Sequence, residues 1–304
     1  MIVVTGGEGF IGKNLVRELQ RRGNLGVVVL DIKNEPIESI NAWLNDNAED
    51  IDVIFHLGAI TDTKEMDFEI FYKYNLTHTI FIWNLCATFQ IPLIYASSAA
   101  TYGNGELGFD DEKSLFNLQP LNPYGWSKQD FDKWNSATTI RPPYWYGLKF
   151  FNVYGYSEDH KGSMASTIYH FYLQSQTNRQ CEVDLFKSHN PKYLNGEQLR
   201  DFIYVDDVVD VCLFLYNEKP VSGIYNVGTG KACTFNDVAK AVFKSIKCSG
   251  KINYIDTPIE LRDKYQYFTE AKIDKLRNAG YKKEFTELES GVEKYVNMLR
   301  HENR

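Results

Sequence analysis

The stretch Thr5-Gly-Gly-Glu-Gly-Phe-Ile-Gly12 lies between an apolar run, Ile2 to Val4, and a segment whose apolar residues Ile11, Leu15, Val16 and Leu19 fall at helical spacing. That order predicts a strand, a glycine turn and a helix. Gly7, Gly9 and Gly12 satisfy G-x-G-x-x-G, and Gly6, Gly9 and Gly12 satisfy the wider G-x-x-G-x-x-G. Glycines at these spacings allow a tight turn, let a pyrophosphate approach the backbone and let helix pack on strand, while the helix N-terminus offers N–H groups to phosphates. Alone, the pattern equally describes a strand-to-helix turn without a ligand. Asp31 closes a second apolar run, Val27 to Leu30, and supplies the carboxylate that a ribose hydroxyl needs about 20 residues on. Together they point to a dinucleotide site.

A chain of 304 residues suits two lobes with one core each. Its net charge of -7 argues against a nucleic-acid partner, which requires a concentrated basic face. The five cysteines (Cys86, Cys181, Cys212, Cys233, Cys248) include no C-x-x-C pair and read as reduced thiols rather than a disulfide frame or metal site. Residue 1 leads straight into a strand, and no stretch reaches the roughly 18 apolar residues of a membrane span, so a cytoplasmic location is expected.

The first helix is predicted to end before Gly23, a C-cap placement. Only about 20 residues separate Asp31 from the next strand, Val53 to Phe55. That is room for one crossover helix (Ile37, Ile40, Trp43, Leu44) but not for helix, strand and helix. Leu57, Gly58, Ala59, Ile60 and Thr61 form a second small-residue turn after His56, and a helix over about 67–89 carries Asn75 among aromatics. A buried asparagine must find partners. Further strands are predicted at Pro92–Tyr95 and Tyr146–Phe151, the former delivering Ala96 to Gly103 to its C-terminal end, where open α/β sheets bind ligands. The alternation predicts an α/β fold, a doubly wound parallel sheet of Rossmann type. A smaller, discontinuous α/β domain completes it: residues 1–155 plus 200–228 form the dinucleotide-binding part, and 156–199 plus 229–304 the substrate-binding part. Residues 188–198 read as a polar insertion, 200–205 as a strand, and Thr234 with Asp237 as a capping box opening a helix through Lys247.

Tyr124 and Lys128 form Tyr-x-x-x-Lys, which on a helix places both side chains on one face. A phenol with a pKa near 10 is a poor base at neutral pH, and a neighbouring ammonium stabilises its phenolate enough to take a proton from an alcohol while hydride leaves to a nicotinamide. Ser98 is placed to hydrogen-bond the same substrate oxygen. The dipeptide spacing alone also fits an ordinary surface pair; its position after a glycine loop and a serine turn favours the catalytic reading.

Thr5-Gly-Gly-x-Gly-Phe-Ile-Gly12, the Ser98 turn ending in Thr-Tyr-Gly, Tyr124-x-x-x-Lys128 and Arg200-Asp-Phe202 resemble the extended short-chain dehydrogenase/reductase superfamily. More narrowly, Tyr95 to Gly103, Phe151-Asn-Val-Tyr-Gly155, His160-Lys-Gly-Ser-Met-Ala-Ser166 and Tyr265-Gln-Tyr-Phe-Thr269 resemble the family of ADP-heptose 6-epimerases, nearly end to end. The resemblance implies inversion at C6 of ADP-D-glycero-D-manno-heptose for the lipopolysaccharide inner core; the aromatic-rich second lobe is compatible with a homo-oligomer, and no metal is expected. The resemblance also implies NADP, or alternatively NAD, held by Gly6, Gly9, Phe10, Ile11, Gly12, Asp31, Ile32, Leu57 to Thr61, Asn75, Lys128, Val153 and Lys161. Tyr124 and Lys161 are then the two acid/base groups, assisted by Ser98 and Lys128. The substrate contacts are Asn152, Ser163, His170, Phe186, Lys187, Ser188, His189, Arg200 and Tyr265.

Three features depart from the family pattern: the short stretch after Asp31, the insertion after Lys187, and Ser188 where glycine is commoner. Ala99 and Ala100 stand where sugar-nucleotide 4,6-dehydratases resemble one another in an Asp-Glu pair, which argues against that reaction. A UDP-hexose 4-epimerase remains the rival enzyme, needing Ser98, Tyr124 and Lys128 but not Lys161. A dinucleotide-sensing scaffold protein is the rival outside catalysis.

Overall fold

The computed structural model describes residues 1–177, 181–262 and 265–302. In chain order the first elements are β1 (Ile2–Thr5), α1 (Phe10–Arg21), β2 (Val27–Leu30), α2 (Ile37–Asp46), β3 (Val53–His56), α3 (Phe68–Phe71), α4 (His78–Thr88), β4 (Leu93–Ser98), α5 (Pro123–Ala137) and β5 (Trp145–Phe150). They continue with β6 (Asn152–Tyr154), α6 (Thr167–Thr177), β7 (Glu182–Phe186), β8 (Leu199–Arg200), β9 (Phe202–Tyr204), α7 (Val205–Glu218), β10 (Gly223–Val227) and β11 (Cys233–Thr234). The last are α8 (Phe235–Ile246), β12 (Lys251–Ile255), α9 (Ile259–Arg262), α10 (Asp274–Asn278) and α11 (Leu288–Glu302). Among the described residues no helix is long and apolar enough to cross a membrane.

Two compact units divide the chain: Met1–Phe150 with Val208–Val227 and Ile273–Lys282, and Phe151–Asp207 with Gly228–Lys272 and Lys283–Arg304. The first is built on a six-stranded sheet in the order β10-β5-β4-β3-β1-β2, parallel throughout. Its inner strands are almost wholly buried, which is why they read as continuous Val/Ile/Phe runs rather than as alternation. Ile2 pairs with Val27 on one side and with Val53 on the other, so the strand order reverses between β2 and β3. The single helix α2 makes that crossing, as the short interval requires, and leaves β2 at the edge. Ligands in open α/β sheets bind at such a reversal, beyond the C-terminal strand ends. On one face, Trp83 packs edge-on against Trp145 (centroids 5.3 Å apart) and Phe131 (6.0 Å), joining Val3, Ile54 and Leu93 in the core.

The helix predicted over 67–89 runs without a gap from Phe68 to Thr88, with a change of winding in its middle. Its middle turn, Tyr72–Thr77, is π-helical and contains Asn75. A π turn inserts one residue into the helical ladder and is common at functional positions; here the Asn75 carbonyl accepts the Thr79 hydroxyl at 2.6 Å.

In the second unit β6 pairs with β9 and β7 with β12, both parallel, while β8 pairs antiparallel with β11. Helix α8 opens with the predicted capping box, Thr234 and Asp237 each bonding the other's backbone, and ends at Lys247 with φ 60°. The strand predicted over 200–205 is split at Asp201. Its buried carboxylate accepts Thr229 N (2.7 Å), Thr229 Oγ1 (2.7 Å), Gly230 N (2.9 Å) and Ala271 N (3.0 Å). These bonds draw 200–207 into the second unit, where Asp207 also accepts Thr286 N at 2.7 Å. Conversely, Lys275 donates to Ile224 O (2.8 Å) and Tyr281 packs on Phe214 (5.3 Å) in the first unit. The unit boundaries therefore fall at other residues than composition and spacing suggested.

Replacing Asp201 by Asn turns an acceptor toward backbone donors into an amide, and loss of these charge-assisted bonds should cost about 2–3 kcal/mol. Denaturant unfolding of Asp201→Asn measures it; a change below about 0.5 kcal/mol, the ordinary surface value, would contradict this role.

Candidate active site

In the first unit the chain leaves β1 through Gly6, with φ +70°, and folds back on itself: Gly9 N donates to Gly6 O (3.0 Å) and Lys13 N to Gly9 O (2.9 Å). A Cβ on Gly6 would land on the backbone of Gly58, one on Gly12 would land on Gly6 O, and one on Gly7 would meet Val29 Cγ1 at 2.6 Å. At Gly9, among the described residues and apart from its own chain neighbours, such a Cβ would meet Gly6 O alone within 4 Å, at 3.1 Å. Helix α1 starts there with no side-chain cap and no acidic residue in its first turn. A backbone cradle open at Gly9, in front of an uncapped helix N-terminus, fits a dinucleotide pyrophosphate.

Asp31 is buried at the end of β2. Its Oδ2 accepts Glu8 N and its Oδ1 accepts Lys33 N, each at 3.0 Å, while Lys33 Nζ donates to Glu8 O at 3.0 Å. The carboxylate thus ties the glycine loop to β2 and keeps lone-pair capacity for a ribose hydroxyl. Ile32 beside it is exposed. The Leu57–Thr61 turn is fixed by Asn75, whose Oδ1 accepts Ile60 N (2.8 Å) and whose Nδ2 donates to Ile60 O (2.9 Å) and Ser127 Oγ (3.0 Å). The buried asparagine spends both its polar ends on the protein, clamping that turn to α5.

Ser98 ends β4, its Oγ accepting Ala100 N at 3.1 Å, and its hydroxyl lies near enough to Tyr124 to act on that phenol. Tyr124 and Lys128 share one face of α5, which Asn122 caps through Gly125 N (2.8 Å). Burial pushes the Tyr124 phenol up from its ordinary range, and the Ser98 hydroxyl draws it back. Burial lowers Lys128 to about 8, opposed by the Asp132 carboxylate, and its Nζ donates to Ala96 O at 2.9 Å. Beneath, the His56 ring lies between Thr5 Oγ1 (2.6 Å) and Thr79 Oγ1 (2.9 Å), and burial holds it neutral.

In the second unit Lys161 lies in the loop Asp159–Met164, where Gly162 has φ 53°. Burial lowers the Lys161 ammonium from its usual range, and the carboxylate of Glu158 pulls it back up. Glu158 is itself buried and accepts Ser166 N and Ser166 Oγ at 2.6 Å and Gly155 N at 3.3 Å, so it anchors both ends of that loop. Asn152 is exposed on β6 beside Val153, and His170 stands on α6 with its ring against Tyr169.

Arg200 is buried with its guanidinium over Tyr265 (5.5 Å) and Phe235 (5.7 Å), donating to Leu199 O (2.9 Å) and to Gln266 O. Phe186 ends β7, and Lys187 pairs on the surface with Asp256 at 2.9 Å. The structure puts Ser188 and His189 to internal use. Ser188 Oγ donates to Asn190 O (2.8 Å); His189 N donates to Tyr267 OH (3.0 Å) and the His189 ring contacts the same hydroxyl at 3.0 Å. The insertion adds Tyr193 against Tyr267, centroids 5.0 Å apart.

Sequence reasoning missed Glu158, Asp132 and Lys149. Two signals were present: Asp132 lies one helical turn past Lys128, and Lys149 is a lone charge in the apolar strand Trp-Tyr-Gly-Leu-Lys-Phe.

A parallel sheet with a glycine cradle at its reversal point and a Ser-Tyr-Lys group at its C-terminal edge defines a dinucleotide-dependent α/β protein of short-chain dehydrogenase type. The chain belongs to the NAD dependent epimerase/dehydratase family, whose profile matches residues 2–228. It is 43% identical to the ADP-L-glycero-D-manno-heptose-6-epimerase of Fusobacterium nucleatum subsp. nucleatum, over 97% of this chain and 97% of the relative. It is 38% identical to the enzyme of that name from Brachyspira hyodysenteriae, over 98% of each. Among solved structures it superposes on Helicobacter pylori ADP-L-glycero-D-manno-heptose-6-epimerase with a TM-score of 0.81 and 28% identity, covering 98% of this chain and 96% of that one.

Lys128 carries its proton below about 8 and loses it above, so turnover that depends on the ammonium should fall about tenfold per pH unit on the alkaline side. A pH–kcat profile flat to pH 10 would contradict the role given to Lys128.

Proposed function

We propose that this chain is a nucleotide-sugar epimerase that inverts C6 of the heptose in ADP-D-glycero-D-manno-heptose, for the lipopolysaccharide inner core. The observation that carries the reading is the Ser98–Tyr124–Lys128 group at the sheet edge that also bears the glycine cradle. The 43% identity to a named epimerase over nearly the whole chain supports the substrate.

On this proposal the first unit is the dinucleotide-binding domain and the second the substrate domain. Gly6, Gly9, Phe10, Ile11, Gly12, Asp31, Ile32, the Leu57–Thr61 turn, Asn75 and Lys128 hold the cofactor, with Val153 and Lys161 as further contacts. When bound, the nicotinamide supplies a reversible hydride acceptor. Ser98 Oγ hydrogen-bonds the C6 oxygen. Tyr124 Oη and Lys161 Nζ each exchange the C6 hydroxyl proton, one for each configuration. The Lys128 ammonium favours the Tyr124 phenolate. Glu158 anchors the loop of Lys161, and burial brings that lysine's proton affinity down toward the working range. Arg200 binds the diphosphate, a role suited to a guanidinium. Tyr265, Asn152, Ser163, His170 and the Phe186–His189 segment complete the substrate contacts.

NADP as the resident form rests on the resemblance and on Lys33 beside the loop. The buried Asp31 carboxylate favours a second reading, NAD, because an acidic strand end suits a free 2'-hydroxyl. Mass spectrometry of nucleotide released from denatured enzyme should show NADP; NAD alone would overturn that choice and leave the epimerase reading standing.

Incubation of purified protein with ADP-D-glycero-D-manno-heptose, without added cofactor, should bring the C6 epimers to a mixture followed by proton NMR. Tyr124→Phe and Lys161→Ala should each lower turnover about 10²–10⁴-fold, the range for lost general acid/base groups, without changing the melting temperature. Near wild-type turnover in Lys161→Ala would remove it from catalysis. Inertness toward the heptose with turnover of UDP-galactose would overturn the substrate assignment.

A further inference from the structure

Between the Ser98 turn and helix α5 lies a polar network that the reaction scheme does not use. Lys149 Nζ, on β5, donates to Asp132 Oδ2 at 2.8 Å and to Thr101 Oγ1 at 2.6 Å, and both charged side chains have no exposed surface. Asp132 also accepts Ser97 Oγ (2.7 Å) and Tyr95 OH (3.0 Å), and Asn135 Nδ2 donates to that tyrosine at 3.1 Å. Thr101 Oγ1 passes the connection on to Ser98 O at 2.8 Å.

A buried ion pair is weak evidence for stability, because the desolvation of two charges offsets most of their attraction. What these partners share is location. Ser97 and Thr101 flank Ser98 on both sides, one in the strand and one in the turn. Asp132 follows Lys128 by one helical turn and Tyr124 by two, on the same face of α5. One ion pair therefore grips both elements that carry the reacting groups.

We propose that Asp132 and Lys149 are positioning residues that hold the Ser98 hydroxyl in register with the Tyr124 and Lys128 face of α5. The proposal deepens the epimerase reading and rests on it. The Asp132 carboxylate also favours the charged form of Lys128. Among the described residues, Asp132 from α5 and His56 from β3 interact electrostatically with Lys128, and Tyr124 lies one turn before it on the same face; Tyr95 from β4 and Tyr102 from the following turn face the ion pair.

The test is steady-state epimerisation of ADP-D-glycero-D-manno-heptose by holoenzyme variants, with melting curves beside it. Asp132→Asn should lower kcat about 10²-fold, the cost of a small misplacement of reacting groups, with little change in KM. Its alkaline limb should move to lower pH, while that of Lys149→Gln should not. The opposite behaviour of the two variants separates positioning from a loss of folded protein. The double variant Asp132→Asn/Lys149→Gln leaves no uncompensated buried charge and should melt near wild type yet stay slow. Thr101→Val cuts the link to Ser98 without touching either charge and should lower kcat with KM unchanged. Wild-type kcat and pH profile in the double variant, or wild-type kcat in Thr101→Val, would overturn the proposal. If wild-type protein leaves the heptose unchanged, the epimerase reading fails. The positioning claim is then read by NMR titration of lysine Nζ: Lys128 should lose its proton at lower pH in Asp132→Asn, and an unshifted titration would overturn it.

Discussion

The first unit depends on how closely three backbone segments meet at the end of β1. Gly6 lies against Gly58, Gly12 lies against Gly6, and no side chain fits at either position. That approach brings the glycine turn, the start of α1 and the turn after β3 to one place, at the point where strand order reverses. β1 lies between β2 and β3, so the junction sits at the switch point of the sheet, outside the carboxyl ends of the strands, where open α/β sheets bind ligands. The reading of a dinucleotide cradle therefore follows from steric exclusion and an uncapped helix end.

Within each unit, buried polar side chains are placed so that one residue fixes several loops. Asn75 clamps the turn at Ile60 to α5. Asp132 and Lys149 join β4, β5 and α5. In the second unit Asp201 gathers the backbone around 229, 230 and 271, and Glu158 closes the loop that bears Lys161. Buried polar groups are costly unless satisfied, so each such residue demands one arrangement of its donors. The expense is accepted where geometry matters more than stability.

Much of this was legible in the sequence where the signal is local. The Thr5–Gly12 turn, the short interval from Asp31 to Val53 and the Tyr124–Lys128 spacing each fold as their residues predict. The capping box at Thr234 does so too. What spacing cannot carry is contact between distant residues. The donors that split the strand at Asp201 lie 28 and 70 positions away, and they decide which unit the segment joins. The π turn at Asn75 leaves the apolar periodicity of the helix nearly intact, so only the polar residue among aromatics hints at it. Ser188 and His189 match a substrate motif in sequence, and their bonds to Asn190 and to the distant Tyr267 are contacts that spacing does not announce.

The central claim is that C6 is inverted by removing and returning the same hydrogen, with the chain exchanging only the hydroxyl proton. Epimerisation run in D₂O and followed by mass spectrometry tests this most directly. The account predicts a product with no deuterium at C6 after many turnovers. Deuterium at C6 appearing in step with epimerisation would show proton abstraction at carbon and would contradict it.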